Sequence, residues 1–571
     1  MAKADPRFLW QPLFLAAVVA VVAAACAEKA AAPAAATPSV KDTAAADAPG
    51  ADSVDSNAGA DLGETADAAV GCPEEQTLCA ATCLPACSTL TWRAPEWDCA
   101  CRDGSPALPG TGLPFQERLC LSVNVSSGSS PAAKAQRQFL FEQSALMGIH
   151  WLRWHFLWAE VEPKKGAWQF AGADTLLAEL AQFRKKTGHQ LGVLGVLAYG
   201  APWASKAAQA DGNDHHYPPD DPQDFANYAV ALAVHASADV TDWEVWNEQN
   251  AGYRFWKSAS GSLNGDPKAY AKLLHLTLLA IHKAVPTARV GYGGLFYVPQ
   301  IIQGAESFLA ATFAAEPKLA GEMDALAWHP YPLYPPLKPP EFDTPTGSVV
   351  QRSVDQTAVQ MRSLWAAQGL KPKALWITEH GWPTEAAISE QNHARYLVRS
   401  WVLAASQGVE RLCWYTLLDH NPESDSVVWE KYFGLFRYKA DWLNPTPAEA
   451  KPAVQAHAHL AKRLQGLGFS ALERAGQQDG WWALAFADPQ ATQVVHVLWD
   501  QPPMSAEAPP EQTRQVWLPA RAKRQYALAA ADAPWQPFEQ LLALVPDAQG
   551  RLLLNIGPTP LYLVEKPATG R

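Results

Sequence analysis

The chain has 571 residues, which is too long for one ordinary compact domain and suggests about two to four units. Its 45 Lys and Arg residues are outnumbered by 57 Asp and Glu residues, giving a formal charge of −12 at pH 7. This balance argues against the clustered basic surface that nucleic-acid binding requires, so we expect no nucleic-acid partner.

The start of the chain has the pattern of an export signal. Lys3 and Arg7 precede an apolar run over residues 8–25, and Cys26 follows the run directly. A basic start followed by an apolar run and small residues is typical of a secretory leader, predicted here as residues 1–26. The run is about the shortest that spans a bilayer, so an uncleaved membrane anchor is the alternative.

The end of this leader resembles the signal of bacterial lipoproteins, in which small residues precede a cysteine. The resemblance implies cleavage before Cys26 and lipidation of that cysteine, which anchors a protein to a membrane. Ordinary cleavage near the same small residues is the alternative, and its outcome is secretion. We therefore expect an exported protein that is either lipid-anchored in the bacterial cell envelope or secreted.

Two segments of contrasting composition follow the leader. Residues 27–71 are mostly Ala, Pro, Asp, Ser and Gly without an aromatic residue, so they cannot bury enough apolar surface to offset their ordering entropy. We predict a disordered linker there. In an exported chain, a dense group of cysteines predicts a small disulfide-rich module, here residues 72–110. Six of the nine cysteines lie in this module, at positions 72, 79, 83, 87, 99 and 101.

Metal binding is the alternative for the cysteine-rich module. The segment lacks the repeated Cys-x-x-Cys pairs with His partners that are typical of zinc sites, so disulfides are favoured. The pairing of six cysteines is not determined by the sequence. Two further cysteines, Cys120 and Cys413, fall inside predicted strands and are expected to be buried thiols.

From Leu119 onward, short apolar runs alternate with long amphipathic stretches, a pattern typical of parallel strand and helix units. Asp221 and Asp266 each precede a proline, which marks a capped helix start. Repeats of this kind close into a (β/α)8 barrel, predicted over residues 115–465. An open doubly wound sheet is the alternative, but the usual glycine-rich phosphate turn is missing from the sequence. Eight predicted strands begin at Leu119, Ile149, Gln190, Val240, Arg289, Asp324, Ala374 and Arg411.

The last segment, residues 466–571, has a different pattern. Short apolar runs alternate with turns that contain Pro and Gly, which predicts a β-rich, sandwich-like accessory domain. A packing partner that covers the barrel is the simpler interpretation, and a sugar-binding module is the alternative. The sequence identifies no binding face on this domain.

Acidic residues follow two of the predicted barrel strands, where the functional residues of such barrels lie. The fourth strand ends in WEVWNEQN, which places Asn247 and Glu248 just beyond its apolar part, and the seventh ends in WITEHGW, which places Glu379 at its tip. Strands four and seven can direct their ends across the same barrel mouth, so a carboxyl separation of about 5 Å is attainable. This is the geometry that retaining hydrolysis of a glycosidic bond requires.

The two carboxyl groups then have different tasks. Glu379 attacks the anomeric carbon as the nucleophile, while Glu248 donates a proton to the departing oxygen and later accepts one from water. Glu248 must therefore stay protonated to a higher pH than Glu379. Partial burial and a negative neighbour raise the pKa of the first, and a cation beside Glu379 lowers the pKa of the second.

The predicted barrel resembles the glycoside hydrolases of clan A, most closely the family 39 and family 5 types. The resemblance covers residues 119–464. The resemblance implies an acid/base in Trp-Asn-Glu, matched by Glu248, and a nucleophile on strand seven, matched by Glu379. It also implies five substrate-site residues. These are Arg153 beside the nucleophile, Asn247 on the sugar 2-hydroxyl, His329 and Tyr331 on strand six, and Trp414 as the floor beneath the sugar.

Each of these residues has a structural alternative. Arg153 can form a structural ion pair within the barrel. His329 and Tyr331 can be core residues, and Trp414 can serve only to pack the core. Glu244 is interpreted as structural. Asp419, Glu423 and Asp425 follow strand eight and are expected to be solvated loop charges, with contact to substrate hydroxyls as the alternative. The adjacent His215 and His216 are not expected to face one metal ion.

The sequence thus predicts a retaining O-glycosyl hydrolase that acts on a carbohydrate without a cofactor or a metal. β-Xylosides, β-glucans and exopolysaccharides are all acceptable substrates, and the sequence does not separate them. A catalytically silent carbohydrate-binding or cell-surface adhesion lipoprotein is the alternative function. The intact pair Glu248 and Glu379 argues against that alternative.

Overall fold

The computed structural model describes residues 112–568 apart from several segments. The predicted leader with Cys26, the linker over residues 27–71 and the cysteine-rich module over residues 72–110 lie outside the described residues. Within the described part, no helix has the length and apolarity needed to cross a membrane. The description does not include residues 124, 298–303, 333–338, 343–351, 371–372, 385–387, 422–427, 440–448 and 501–512.

The predicted barrel is confirmed. Eight parallel strands hydrogen-bond in chain order, and the eighth pairs with the first to close the sheet. The strands are β1 (Leu119–Ser122), β2 (Trp151–Leu157), β3 (Gly192–Ala198), β4 (Asp242–Asn247), β5 (Arg289–Phe296), β6 (Ala325–His329), β7 (Ala374–His380) and β8 (Arg411–Tyr415).

Helices lie outside this barrel, and two of them begin at the Asp-Pro pairs that the sequence indicates. Asp221 and Asp266 cap two of them, since each side chain accepts a hydrogen bond from the first helical turn and a proline follows. Gly148 ends another helix at φ 70°, a left-handed conformation that favours glycine. The α-helices are α1 (Pro131–Met147), α2 (Trp158–Val161), α3 (Ala171–Thr187), α4 (Lys206–Ala210), α5 (Pro222–His235), α6 (Pro267–Ala284), α7 (Ala305–Ala315), α8 (Leu319–Glu322), α9 (Val354–Ala366), α10 (Glu390–Ser406) and α11 (Pro452–Arg463).

Cys120 and Cys413 correct one prediction. They are fully buried, as expected, but they form a disulfide and are not free thiols. Closure of the barrel makes β1 and β8 neighbours, and the two cysteines occupy paired positions in these strands. The disulfide therefore joins the first and last strands of the barrel, which are 293 residues apart in the chain.

The predicted C-terminal β-domain is also confirmed. Its antiparallel strands form a six-stranded sheet in the order β14-β13-β16-β11-β10-β9 and a separate pair of β12 with β15. One short helix, α12 (Gly476–Asp479), lies between β9 and β10. The strands are β9 (Gly468–Arg474), β10 (Trp481–Ala487), β11 (Val494–Asp500), β12 (Arg514–Pro519), β13 (Arg524–Ala530), β14 (Leu542–Leu544), β15 (Arg551–Ile556) and β16 (Leu561–Pro567).

This β-domain packs on the barrel helices α10 and α11. Arg395 of α10 donates to Thr559 Oγ1 at 2.8 Å, and Gln455 of α11 donates to the carbonyl of Asp532 at 2.6 Å. Phe486 of β10 also packs in the same continuous apolar core as the barrel residues. The domain therefore shares its core with the barrel.

Candidate active site

Arg153 on β2 joins three strands at the carboxyl end of the barrel. Its guanidinium donates to Glu244 of β4 at 2.8 and 3.2 Å, and to Glu379 Oε1 of β7 at 2.6 Å. It also donates to Asn247 Oδ1 at 2.7 Å. Although burial acts to lower it, the pKa of Arg153 is raised because the carboxylates of Glu244 and Glu379 stabilise the charged form. The structure thus places a permanent cation against Glu379.

Glu379 has hydrogen-bond donors on both carboxylate oxygens. Arg153 occupies Oε1, and the Tyr331 hydroxyl donates to Oε2 at 2.9 Å. The residue is buried but keeps a small exposed fraction of 8% at the barrel mouth. Donors on both of its oxygens hold the Glu379 carboxylate in one orientation.

Glu248 lies at the start of the loop after β4. Its backbone has a φ of 48°, in a region that non-glycine residues seldom adopt, and Trp246 nearby has a φ of 72°. The Glu248 backbone N–H donates to the carbonyl of Gly294 at 2.8 Å, which fixes the turn. Such uncommon conformations persist where the surroundings determine them, often at functional sites.

The two carboxyl groups meet around His329 of β6. Glu248 Oε1 lies 2.8 Å from His329 Nδ1, and His329 Nδ1 lies 3.7 Å from Glu379 Oε2. One carboxylate oxygen of Glu248, one of Glu379 and a ring nitrogen of His329 all lie within 4.8 Å of one another. The structure therefore brings Glu248, Glu379, Arg153, Asn247, His329 and Tyr331 into one site.

Burial shifts the pKa values of Glu248 and His329 in opposite directions. It raises the pKa of Glu248 to about 7, although the nearby Arg254 and Arg153 act to lower it. Burial also lowers the pKa of His329 to about 4, so this imidazole is neutral at pH 7. At pH 7 the site thus holds a carboxyl group that is about half protonated, next to a neutral histidine.

Trp414 is the one predicted site residue that the structure does not bring to the pair. It has no exposed surface and packs behind the barrel wall against Trp382 and Trp401. The next residue, Tyr415, lies at the mouth, with its ring 6.4 Å from that of Tyr331. Successive side chains of a strand point to opposite faces of the sheet, so neighbouring residues such as Trp414 and Tyr415 face the outer side and the mouth of the barrel, respectively.

Three polar residues of the site escaped the sequence interpretation. His155 lies two positions after Arg153 on β2 and therefore faces the same interior. Its ring stacks on Tyr199 at 6.0 Å, and its Nε2 has no hydrogen-bond partner among the described residues. Tyr199 in turn accepts a hydrogen bond from Asn247 Nδ2 at 3.1 Å, while Thr378 of β7 lies 3.0 Å from His329 Nε2. The spacing of two from Arg153 was a usable sequence signal for His155.

Two groups of described residues have ligand atoms close enough to hold a metal ion. One is Glu248 with His329 and Glu379. The other is Asp214 with His215 and His216, two histidines that were not expected to face one metal ion and whose rings lie 4.2 Å apart. Asp214 already binds the Lys257 ammonium at 2.8 Å, and this cation repels a metal ion.

No protein-family model and no curated protein matches the sequence. Among solved structures, a family 39 glycoside hydrolase from the gut symbiont Bacteroides cellulosilyticus WH2 superposes with a TM-score of 0.57 at 21% identity, covering 81% of this chain and 83% of its own. A monomeric β-xylosidase from Caulobacter crescentus CB15 gives 0.54 at 16% identity, covering 80% and 97%. CelM2, a bifunctional glucanase-xylanase from a metagenome library, gives 0.51 at 11% identity, covering 81% and 98%. The structural neighbours of this chain are thus family 39 and other clan A glycoside hydrolases, whose (β/α)8 fold it shares.

Proposed function

We propose that this protein is a retaining glycoside hydrolase that cleaves O-glycosidic bonds of an oligo- or polysaccharide by double displacement. The observation that carries the proposal is the approach of Glu248 and Glu379 to within 4.8 Å, in different environments. Carboxyl groups about 5 Å apart are characteristic of retaining enzymes, whereas inverting enzymes need a wider gap for water.

In the first step, Glu379 is the nucleophile. One of its oxygens attacks the anomeric carbon, the bond from that carbon to the leaving oxygen breaks, and the proton of Glu248 passes to the leaving oxygen. Arg153 and Tyr331 hold Glu379 in place for this attack. The raised pKa of Glu248, about 7, keeps the required proton available at neutral pH.

In the second step, water replaces Glu379. Glu248, now a carboxylate, takes a proton from water while the water oxygen bonds to the anomeric carbon and the glycosyl ester to Glu379 breaks. The sugar leaves with its original anomeric configuration, and Glu248 is protonated again. Both residues thus return to their starting states.

Asn247 is placed to bind a sugar hydroxyl. Its Oδ1 accepts from Arg153 and its Nδ2 donates to Tyr199, so the orientation of the amide is determined. One N–H of Nδ2 remains for substrate. His155 Nε2 and the ring of Tyr415 offer a further polar contact and an aromatic surface. This lining suits an uncharged sugar, and β-xylosides, β-glucans and exopolysaccharides are the substrate classes we propose.

The test is hydrolysis of aryl β-glycosides and polysaccharides by the purified protein, followed by mass spectrometry after a mechanism-based 2-fluoroglycoside. We expect a covalent label on Glu379 in the wild type and none in Glu379→Gln. A label on another residue contradicts the assignment. Failure of the folded protein to hydrolyse any member of the panel, with sugar binding retained, favours the catalytically silent carbohydrate-binding or adhesion function instead.

We further propose that the protein is exported and lipid-anchored through Cys26. The support is the leader pattern and the small residues before Cys26. Growth of a bacterial host with a labelled fatty acid tests this, because we expect label on the wild type and none on Cys26→Ser. Equal labelling of both contradicts the anchor, and a cleaved but unlabelled wild type indicates secretion.

A further inference from the structure

A line of four side chains runs through the barrel interior from Glu244 to Glu248. Glu244 Oε1 lies 3.1 Å from Thr378 Oγ1, Thr378 Oγ1 lies 3.0 Å from His329 Nε2, and His329 Nδ1 lies 2.8 Å from Glu248 Oε1. Glu244 and His329 are fully buried, and so is Thr378. Water is thus kept from these three side chains, so their polar atoms must find hydrogen-bond partners among neighbouring protein groups.

The direction of hydrogen-bond donation along this line is set at Glu244. Its carboxylate accepts from the Arg153 guanidinium at 2.8 and 3.2 Å and from the Gly294 backbone N–H at 2.5 Å. Both oxygens of Glu244 thus act as acceptors, and one of their donors is the permanently charged Arg153 guanidinium. An ionised carboxylate only accepts hydrogen bonds, so the Thr378 hydroxyl must donate to it.

The remaining bonds follow from that direction. A hydroxyl has one proton, so Thr378 Oγ1 can only accept from His329, and the proton of a neutral imidazole is then on Nε2. His329 is neutral because burial lowers its pKa to about 4. Nδ1 therefore carries a lone pair, and Glu248 can satisfy it only by donating its own carboxyl proton.

We infer that Glu244, Thr378 and His329 form a directional hydrogen-bond relay that keeps a proton on Glu248. The residues of the relay are positioning residues, since they act on the reaction through Glu248. The inference rests on the proposed function in one respect only, the assignment of Glu248 as the acid.

The relay opposes loss of the Glu248 proton. If Glu248 ionises while Nε2 holds the imidazole proton, the carboxylate faces the lone pair of Nδ1. The alternative tautomer relieves this contact only if the Thr378 hydroxyl turns away from Glu244, which leaves two buried oxygen atoms in contact without a hydrogen atom. Either arrangement costs free energy, so the neutral form of Glu248 is favoured.

Besides His329, several charged and titratable groups act on Glu248. The charges of Arg153, Arg254, Glu430 and Glu244 act electrostatically on the Glu248 carboxyl group. Glu379 approaches from β7, and the two tyrosines of the site, Tyr199 and Tyr331, have pKa values raised above their ordinary range, so they are neutral at pH 7. None of these groups is hydrogen-bonded to His329 in the described structure.

The first test reads the tautomer directly and requires no substrate. NMR spectra of the full-length protein labelled with ¹⁵N-histidine distinguish protonated from unprotonated ring nitrogens, and the His329 signals are identified by their loss in His329→Gln. We expect Nε2 protonated and Nδ1 unprotonated at neutral pH. A proton on Nδ1, or on both nitrogens, overturns the relay, whether or not the protein hydrolyses glycosides.

The second test compares Thr378→Val with Thr378→Ser. Valine has the shape of threonine without the hydroxyl, so it frees His329 to donate from Nδ1 to an ionised Glu248. We expect the basic limb of the kcat/KM profile to move to lower pH by about one unit in Thr378→Val, the size of a hydrogen bond to a charged group. Serine restores the hydroxyl and is expected to restore the limb.

An unchanged limb in Thr378→Val, or an equal shift in both variants, contradicts the relay. A covalent label on Glu379 in either variant shows that the proposed chemistry survives independently of it. Failure of the relay and failure of the glycosidase proposal therefore give different results.

Discussion

Glu248 and Glu379 carry the same functional group but have different neighbours. Glu379 is held by Arg153 and Tyr331 on its two oxygens, while Glu248 contacts the neutral His329. The first environment fixes the orientation of the Glu379 carboxylate, and in the second burial raises the pKa of Glu248. At the scale of single residues, the division of tasks between nucleophile and acid follows from these contacts.

The pH dependence of activity follows from Glu248. Its pKa is raised to about 7 by burial, and the acid must be protonated to assist the leaving group, so kcat/KM is expected to fall as the pH rises above 7. Glu248→Gln is expected to lose about 10²- to 10⁴-fold in kcat/KM on alkyl glycosides. A dinitrophenyl glycoside, whose leaving group needs no proton, is the control for the glycosylation step. Retention of the basic limb in Glu248→Gln contradicts the assignment.

At the scale of elements, β5 allows the relay to approach the backbone. A Cβ atom on Gly294 would lie 2.1 Å from His329 Nε2 and 2.7 Å from Glu244 Oε1, so no other residue fits there without displacing the site. The pairing of β5 with β6 also shifts register next to this position. The strand therefore carries a glycine where the side chains of β4 and β6 meet.

Gly294→Ala tests this role of β5. The added methyl group is expected to displace His329 and to lower kcat by about 100-fold, as misplacement by about 1 Å can do. Gly321→Ala is the matched control, because its Cβ would meet only Leu370 Cδ1 at 3.5 Å. Circular dichroism and thermal unfolding distinguish loss of activity from loss of the fold. Full activity in Gly294→Ala would show that the site tolerates the displacement.

The strand β8 presents Tyr415 to the barrel mouth and Trp414 to the helices. If Tyr415 stacks on the sugar, Tyr415→Ala is expected to raise KM by up to roughly tenfold, since such contacts contribute about 0.5–1.5 kcal/mol, and Tyr415→Phe is expected to keep KM. Trp414→Phe is expected to lower the free energy of unfolding by about 1–3 kcal/mol with KM unchanged. The reverse pattern in kinetics and denaturant unfolding would place the sugar on Trp414.

At the scale of the whole molecule, the barrel is closed covalently as well as by hydrogen bonds. Cys120 and Cys413 link β1 to β8, and this link constrains a loop of nearly the whole barrel in the unfolded chain. The β-domain covers α10 and α11 and extends the same core. Stability of the barrel and the β-domain is therefore expected to be coupled.

Replacement of both cysteines by alanine tests the disulfide. The double variant Cys120→Ala with Cys413→Ala is expected to lose about 2–5 kcal/mol of unfolding free energy, because the unfolded chain gains freedom. Denaturant midpoints of the oxidised proteins measure this. Substitution is preferred to a reducing agent, since the chain holds seven other cysteines that a reductant also affects. Unchanged midpoints would mean that the link does not contribute to stability.

The sequence by itself determined the repeat architecture and the main chemistry. Eight apolar runs separated by capped helices specify a barrel through local patterning, since the periodicity and the Asp-Pro helix starts are properties of short segments. Glu248 and Glu379 were predictable as neighbours because strand ends meet at one mouth in such a barrel.

Only the tertiary structure decided the finer contacts. A five-residue strand such as β8 is too short for alternation to show which of Trp414 and Tyr415 faces the mouth. The disulfide depends on closure between the first and last strands, and the line from Glu244 to Glu248 joins residues of three strands. These contacts depend on register and distance between remote segments, which local sequence patterns do not encode.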